Sequence, residues 1–179
     1  MRPNLNRRGF TLTEVLIALT ISVLLITAVL GAYITSSEFL FSNVAGRNVQ
    51  SDANLLMNKI IKGRREPTGI FRLSEAASYN LQSVSELHFT GTDGIERWYR
   101  LGANNASVIY HHPTANGVQD EVIYNVPQGN ALTLRFWIPA GANFTNIGVG
   151  IDVALSQVFR GRTVSGSVST MINIRNHVT

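Results

Sequence analysis

The sequence predicts an α+β chain: one long N-terminal α-helix, hydrophobic in its first half, packed through its second half on an antiparallel β-sheet head. Three observations carry this. Residues 15–34 hold no charged side chain. Residues 49–60 repeat their apolar positions at helical spacing, and several segments after Pro67 alternate apolar and polar residues with a period of two. Composition sets the frame. The chain has 179 residues, 45% hydrophobic and only 15% charged, which excludes an extended disordered protein. It has no cysteine, so structural disulfides, thiolate metal sites and cysteine nucleophiles are excluded. Of fifteen basic residues, Arg2, Arg7 and Arg8 fall in the first nine positions, which carry no acid. Much of the formal charge of +4 therefore belongs to the N-terminus and is no nucleic-acid footprint.

The first element is the apolar segment. Twenty uncharged residues at 1.5 Å each span a hydrocarbon core of roughly 30 Å. The membrane-facing residues are Val15, Leu16, Ile17, Leu19, Ile21, Leu24, Leu25, Ile26, Val29 and Leu30. Thr20, Ser22 and Thr27 are the polar members, and their hydroxyls can bond back to the helix's own carbonyls. Arg7 and Arg8 precede the segment and should stay in the cytoplasm, leaving everything after Ile34 on the far side.

Three readings of this start compete. An ordinary secretory signal has the basic and apolar regions, but no good A-x-A site follows, Leu30-Gly31-Ala32 being a poor substitute. A twin-arginine signal fits the short core Arg7-Arg8-Gly9-Phe10. The third reading turns on Glu14, one helical turn after Phe10 and inside the apolar stretch. An ionisable group there costs about 2.5–3.5 kcal/mol, so it needs a positive partner at its own depth. Cleavage after Gly9 would create one, the new α-amine of Phe10. A carboxylate that only snorkels to the headgroups is the plainer alternative.

The stretch RRGFTLTEVLIALTIS closely resembles the cleavage and methylation motif of type IV pilins and type II secretion pseudopilins. The resemblance implies that Gly9 precedes the cut and that Phe10 becomes the methylated N-terminus. It implies that Glu14 pairs with a neighbouring subunit's N-terminal amine. It also implies the pilin fold: a bare hydrophobic helix half, then a half packed on a head.

The second helix half follows. Val49, Ala53, Leu56, Met57 and Ile60 lie on one face. Lys59, Lys62, Arg64 and Arg65 crowd the end, where cations favour the macrodipole, and read as a solvated helix terminus. Gly63 and Pro67 are stop signals. The helix is expected from about Phe10 to about Lys62, roughly 80 Å long at 1.5 Å per residue. Gly31 lies where many pilins carry a helix breaker, and a kink is expected there.

Strands are expected over 84–90, 95–101, 107–111, 121–126, 131–138, 147–158 and 167–175, in a sheet with one covered face. Thr92-Asp93-Gly94 reads as a hairpin turn. Trp98 and Trp137 fall on the outward series and read as packed against neighbours. The element order resembles the PilW-like minor pilins and J-type pseudopilins, through ELHFTGTDGIERWYRLG and a final strand closing in Ile174-Arg175-Asn176.

No phosphate loop, H-E-x-x-H or G-x-S-x-G occurs. His111 and His112 are adjacent, so in a strand they point to opposite faces, which disfavours a joint metal site with Asp120 and Glu121. Neither a catalytic residue, a metal nor a cofactor is assigned. The expected organisation is a leader (1–9), a membrane and filament-core helix half (10–34), an amphipathic half (35–66) and a sheet head (67–179). The expected function is a non-enzymatic pilin-like subunit of a type IV pilus or a secretion pseudopilus, in a minor tip or initiation role. Expected partners are prepilin peptidase, other pilins or pseudopilins, the inner-membrane assembly platform and, before assembly, the lipid bilayer. No nucleic acid is expected. The expected location is the bacterial inner membrane with a periplasmic head, then a pilus or pseudopilus. The alternatives are a ligand- or DNA-binding tip pilin, and an anchored periplasmic protein with no filament role.

Overall fold

The computed structural model describes residues 9–66, 69–114, 117–128, 130–139 and 148–173. Arg2, Arg7, Arg8, Pro67, Ile147, Ile174, Arg175 and Asn176 lie outside the described residues. The chain divides into two compact units, residues 1–43 and 44–179.

Helix α1 runs from Leu12 to Lys62. Thr20 Oγ1 donates to the Leu16 and Ile17 carbonyls at 3.1 and 2.8 Å. Ser22 Oγ bonds Ala18 O at 2.7 Å and Thr27 Oγ1 bonds Val23 O at 2.8 Å, so the apolar segment satisfies its own hydroxyls. The helix continues through Gly31, against the expected kink. One glycine costs about 1 kcal/mol, too little to break a helix with good formers on both sides. The Gly31 carbonyl also accepts a bond from Thr35 Oγ1 at 3.0 Å.

In the second unit the expected helix face is buried: Val49, Ala53, Leu56, Met57 and Ile60, joined by Ala45. Ten strands follow among the described residues. They are β1 (Arg64–Glu66), β2 (Gly69–Phe71), β3 (Ala76–Ser83), β4 (Glu86–Gly91), β5 (Glu96–Leu101), β6 (Ser107–Thr114), β7 (Gly117–Asn125), β8 (Asn130–Trp137), β9 (Val149–Phe159) and β10 (Arg162–Ile172). In place of one sheet there are three, all antiparallel: β1-β2, the meander β3-β4-β5-β6-β7, and β10-β9-β8. Alternation in the sequence gives each strand a covered face but does not say which strands pair. The turn at Thr92-Asp93-Gly94 does join β4 and β5, with Gly91 N–H bonding Ile95 O at 2.9 Å.

The inward residues of the two larger sheets share one core with the helix. Leu87, Phe89, Tyr99, Tyr110 and Ile123 come from one sheet, and Leu132, Leu134, Phe136, Ile151 and Val153 from the other. A hydrogen bond from Phe136 N–H to Val84 O, at 2.7 Å, ties β8 to the turn after β3. The helix also meets β10 directly. A Cβ on Gly166 would lie 2.8 Å from Gln50 Cα, so only glycine allows this approach. Gln50 then bonds both backbone groups of Ser167, accepting at 3.2 Å and donating at 3.0 Å, which closes part of that strand's edge.

Candidate functional site

Glycine and phenylalanine at positions 9 and 10 precede the helix, and Phe10 is 87% exposed. The helix starts two residues later than expected because Thr11 caps it. Thr11 Oγ1 accepts from Glu14 N–H at 3.4 Å, and Glu14 Oε2 accepts from Thr11 N–H at 2.9 Å. Thr11 Oγ1 also donates to Glu14 Oε2 at 2.8 Å. This is a capping box, written in the sequence as Thr-x-x-Glu immediately before an apolar run. The partner it gives Glu14 is neutral, where the expectation from charge alone is a cation. Glu14 is therefore held at the first turn, at the positive end of the helix dipole, by neutral donors. Among the described residues no cation pairs with it. A free α-amine at Phe10 would be the nearest charge that cleavage could create.

From Val15 to Ile34 the helix carries no charge and is uncovered on every side. Val15, Leu16, Ile17, Leu19, Ile21, Leu24, Leu25, Ile26, Val29 and Leu30 are each between 52% and 70% exposed. One helix among the described residues is long and apolar enough to cross a membrane, and none of its apolar window is buried. So large an apolar surface needs lipid or protein around it.

Beyond the C-terminal end of the helix the head holds a buried ion cluster that is not among the sequence expectations. Arg97 falls on the inward series of β5 and is fully buried. Its Nε and Nη2 donate to Glu66 Oε1 and Oε2 at 2.8 and 2.7 Å, a bidentate pair. Nη1 and Nη2 also reach Asp93 at 3.1 and 2.8 Å, and the guanidinium stacks on Phe71 at 4.1 Å. Tyr110 donates its hydroxyl to Glu66 Oε1 at 2.6 Å. Burial pulls the Arg97 pKa down, but bonding to Glu66 and Asp93 outweighs it and holds it above the ordinary arginine value. Burial, with Glu66 adding to it, pushes Tyr110 up. The signal was a charged residue on an apolar series, which requires a buried partner. Glu66 is the last residue of β1.

The basic helix end is less solvated than expected. Lys59 Nζ donates to Ile123 O at 3.1 Å, and Arg64 pairs with Glu121, so both grip β7. His111 and His112 do part to opposite faces. His111 Nδ1 meets Asp120 at 2.5 Å, whereas His112 Nε2 lies 3.5 Å from Glu121. The four residues form two separate pairs. Trp98 packs between His88 and His111, and Trp137 lies against Gly150.

Comparison with protein families finds the prokaryotic N-terminal methylation motif over residues 4–30. No curated protein and no solved structure matches the chain. The matched span contains Gly9, Phe10, Glu14 and the exposed apolar residues from Val15 to Leu30, and the packed helix half and antiparallel sheets that follow are consistent with a pilin fold. The chain carries the N-terminal signature of the type IV pilin and pseudopilin family.

Proposed function

We propose that the protein is a pilin-like structural subunit. It is held in the inner membrane by α1, cut between Gly9 and Phe10 by prepilin peptidase, and assembled with other pilin-like subunits as a minor tip or initiation component. The observation that carries this is an acidic residue, Glu14, at the head of a helix whose first half is apolar and uncovered. In a filament that surface exchanges lipid for neighbouring helices. Glu14 then exchanges the weak neutral donors of Thr11 for a cationic amine. The head, on this reading, faces the periplasm or the cell exterior.

The test is chemical. Mass analysis of membrane-extracted protein should find an N-methylated Phe10 at the N-terminus, and an N-terminus near residue 33 would point to an ordinary signal peptide. Gly9→Val should block processing, because a β-branched side chain crowds the peptidase cleft. Normal processing of that variant would count against the motif.

A further inference from the structure

Two connections of the head face each other: residues 102–106, between β5 and β6, and residues 126–128, between β7 and β8. Between them and the start of β8 lies a cleft of about 530 Å³. Its polar lining is Asn104, Asn105, Gln128, Asn130 and Thr133, and its apolar lining includes Val126, Pro127 and Leu132. None of its lining residues is charged. A second depression, of about 400 Å³, lies on the outer face of β8-β9-β10 and is lined by Thr133, Arg135, Asp152 and Ser169 among others. Thr133 lines both.

In the second depression Ser169 Oγ donates to Asp152 Oδ1 at 2.5 Å. Among the described residues no hydrogen bond engages the side-chain amides of Asn104, Asn105, Gln128 or Asn130, the Thr133 hydroxyl or the Arg135 guanidinium. Asn104 and Asn105 also sit consecutively in the left-handed region, at φ 58° and 54°. Asparagine adopts this region more readily than other non-glycine residues, so the loop holds both amides in a defined backbone conformation. A side-chain amide offers a donor and an acceptor side by side, which matches a pair of adjacent hydroxyls. An apolar floor matches the C–H face of a pyranose ring. A polyanion would find one cation, Arg135, which stands opposite Asp152 in the β8-β9 register.

We infer that the cleft between these connections and β8 is a binding site for a short neutral oligosaccharide, with Asn104, Asn105 and Thr133 among its hydrogen-bonding groups. The volume and the mix of apolar floor with few polar groups suit a small ligand. The inference rests on the head alone and stands whether or not the chain enters a filament.

The test is microcalorimetry of the detergent-solubilised full chain against malto-, cello- and chito-oligosaccharides, with uronate-containing oligosaccharides and an oligonucleotide alongside. Saturable binding of at least one neutral sugar is expected. Asn104→Gly and Asn105→Gly keep the backbone conformation, and Thr133→Val keeps the shape. Each should weaken binding about three- to tenfold, as loss of one neutral hydrogen bond does. Asn80→Ala, on the exposed face of the other sheet, should leave it unchanged. Absence of saturable binding to every neutral sugar overturns the inference. So does equal affinity across the folded variants, or binding confined to the uronates or the oligonucleotide.

Discussion

Arg97 is the residue on which the head's interior turns. Its bidentate bond to Glu66 joins the end of β1 to the central strand of the five-stranded sheet. Arg97→Ala leaves Glu66 buried beside Tyr110 without its cation, and should cost about 3–5 kcal/mol, read as a lowered urea midpoint at unchanged slope. Asp93 behaves differently, because it is partly exposed. Its bond to Arg97 holds its carboxyl below the usual aspartate range. A depressed carboxyl contributes stability above its unfolded value, about 3.9, and loses it as pH falls through the lowered folded value. Asp93→Asn should therefore flatten the acid limb of the stability curve below about pH 4 while leaving the slope near neutrality unchanged. An acid limb as steep as in the unchanged protein would show that Asp93 is not the group involved.

At the scale of the element, α1 was the most legible part of the sequence. Its buried face is the five residues that the 3.6-residue period picked out, plus Ala45. Leu56→Asp would bury an unpaired charge on that face and should destabilise the head by at least about 3 kcal/mol. Leu55→Asp, one position along and 48% exposed, should shift it by about 0.5 kcal/mol or less. Equal denaturation midpoints for the two variants would show that the face is misassigned. The strands were legible where alternation is long and strong, as in β5, β8 and β9. β3 escaped because small and polar residues dominate AASYNLQS and its pairing slips at two places. β1 and β2 have three residues each, too short for a period to register. β10 begins five residues before its expected start. Its early residues are mostly polar, and the Arg160-Gly161 turn that pairs it with β9 went unread. Both turn residues have positive φ, 48° and 75°, which matches the twist of a two-residue hairpin. At the N-terminus both the motif and the Thr-x-x-Glu capping box within it are written in the sequence, and the box gives Glu14 a neutral partner where its charge alone suggests a cation. The ion cluster was invisible as a cluster, since Glu66 and Arg97 are 31 residues apart.

At the scale of the whole molecule, the two units answer to different solvents. The second unit carries the shared core of helix and sheets, so a chain beginning at Val44 should fold in water with a cooperative transition. A truncated chain without near-ultraviolet dichroism would contradict that core. The first unit presents apolar surface all round and has meaning only among lipids or like helices. The central claim is that Glu14 is kept in this surface to meet a neighbour's amine. Glu14→Gln isolates that claim, because glutamine serves in a capping box and the helix start is preserved. The most direct measurement is cross-linking to any pilin-like partner in membranes holding equal amounts of the processed protein and its Glu14→Gln variant. The account predicts normal insertion, normal cleavage after Gly9 and a marked loss of cross-linked complex for the variant. Equal cross-linking of the two proteins would contradict it, and would leave Glu14 as a helix cap and nothing more.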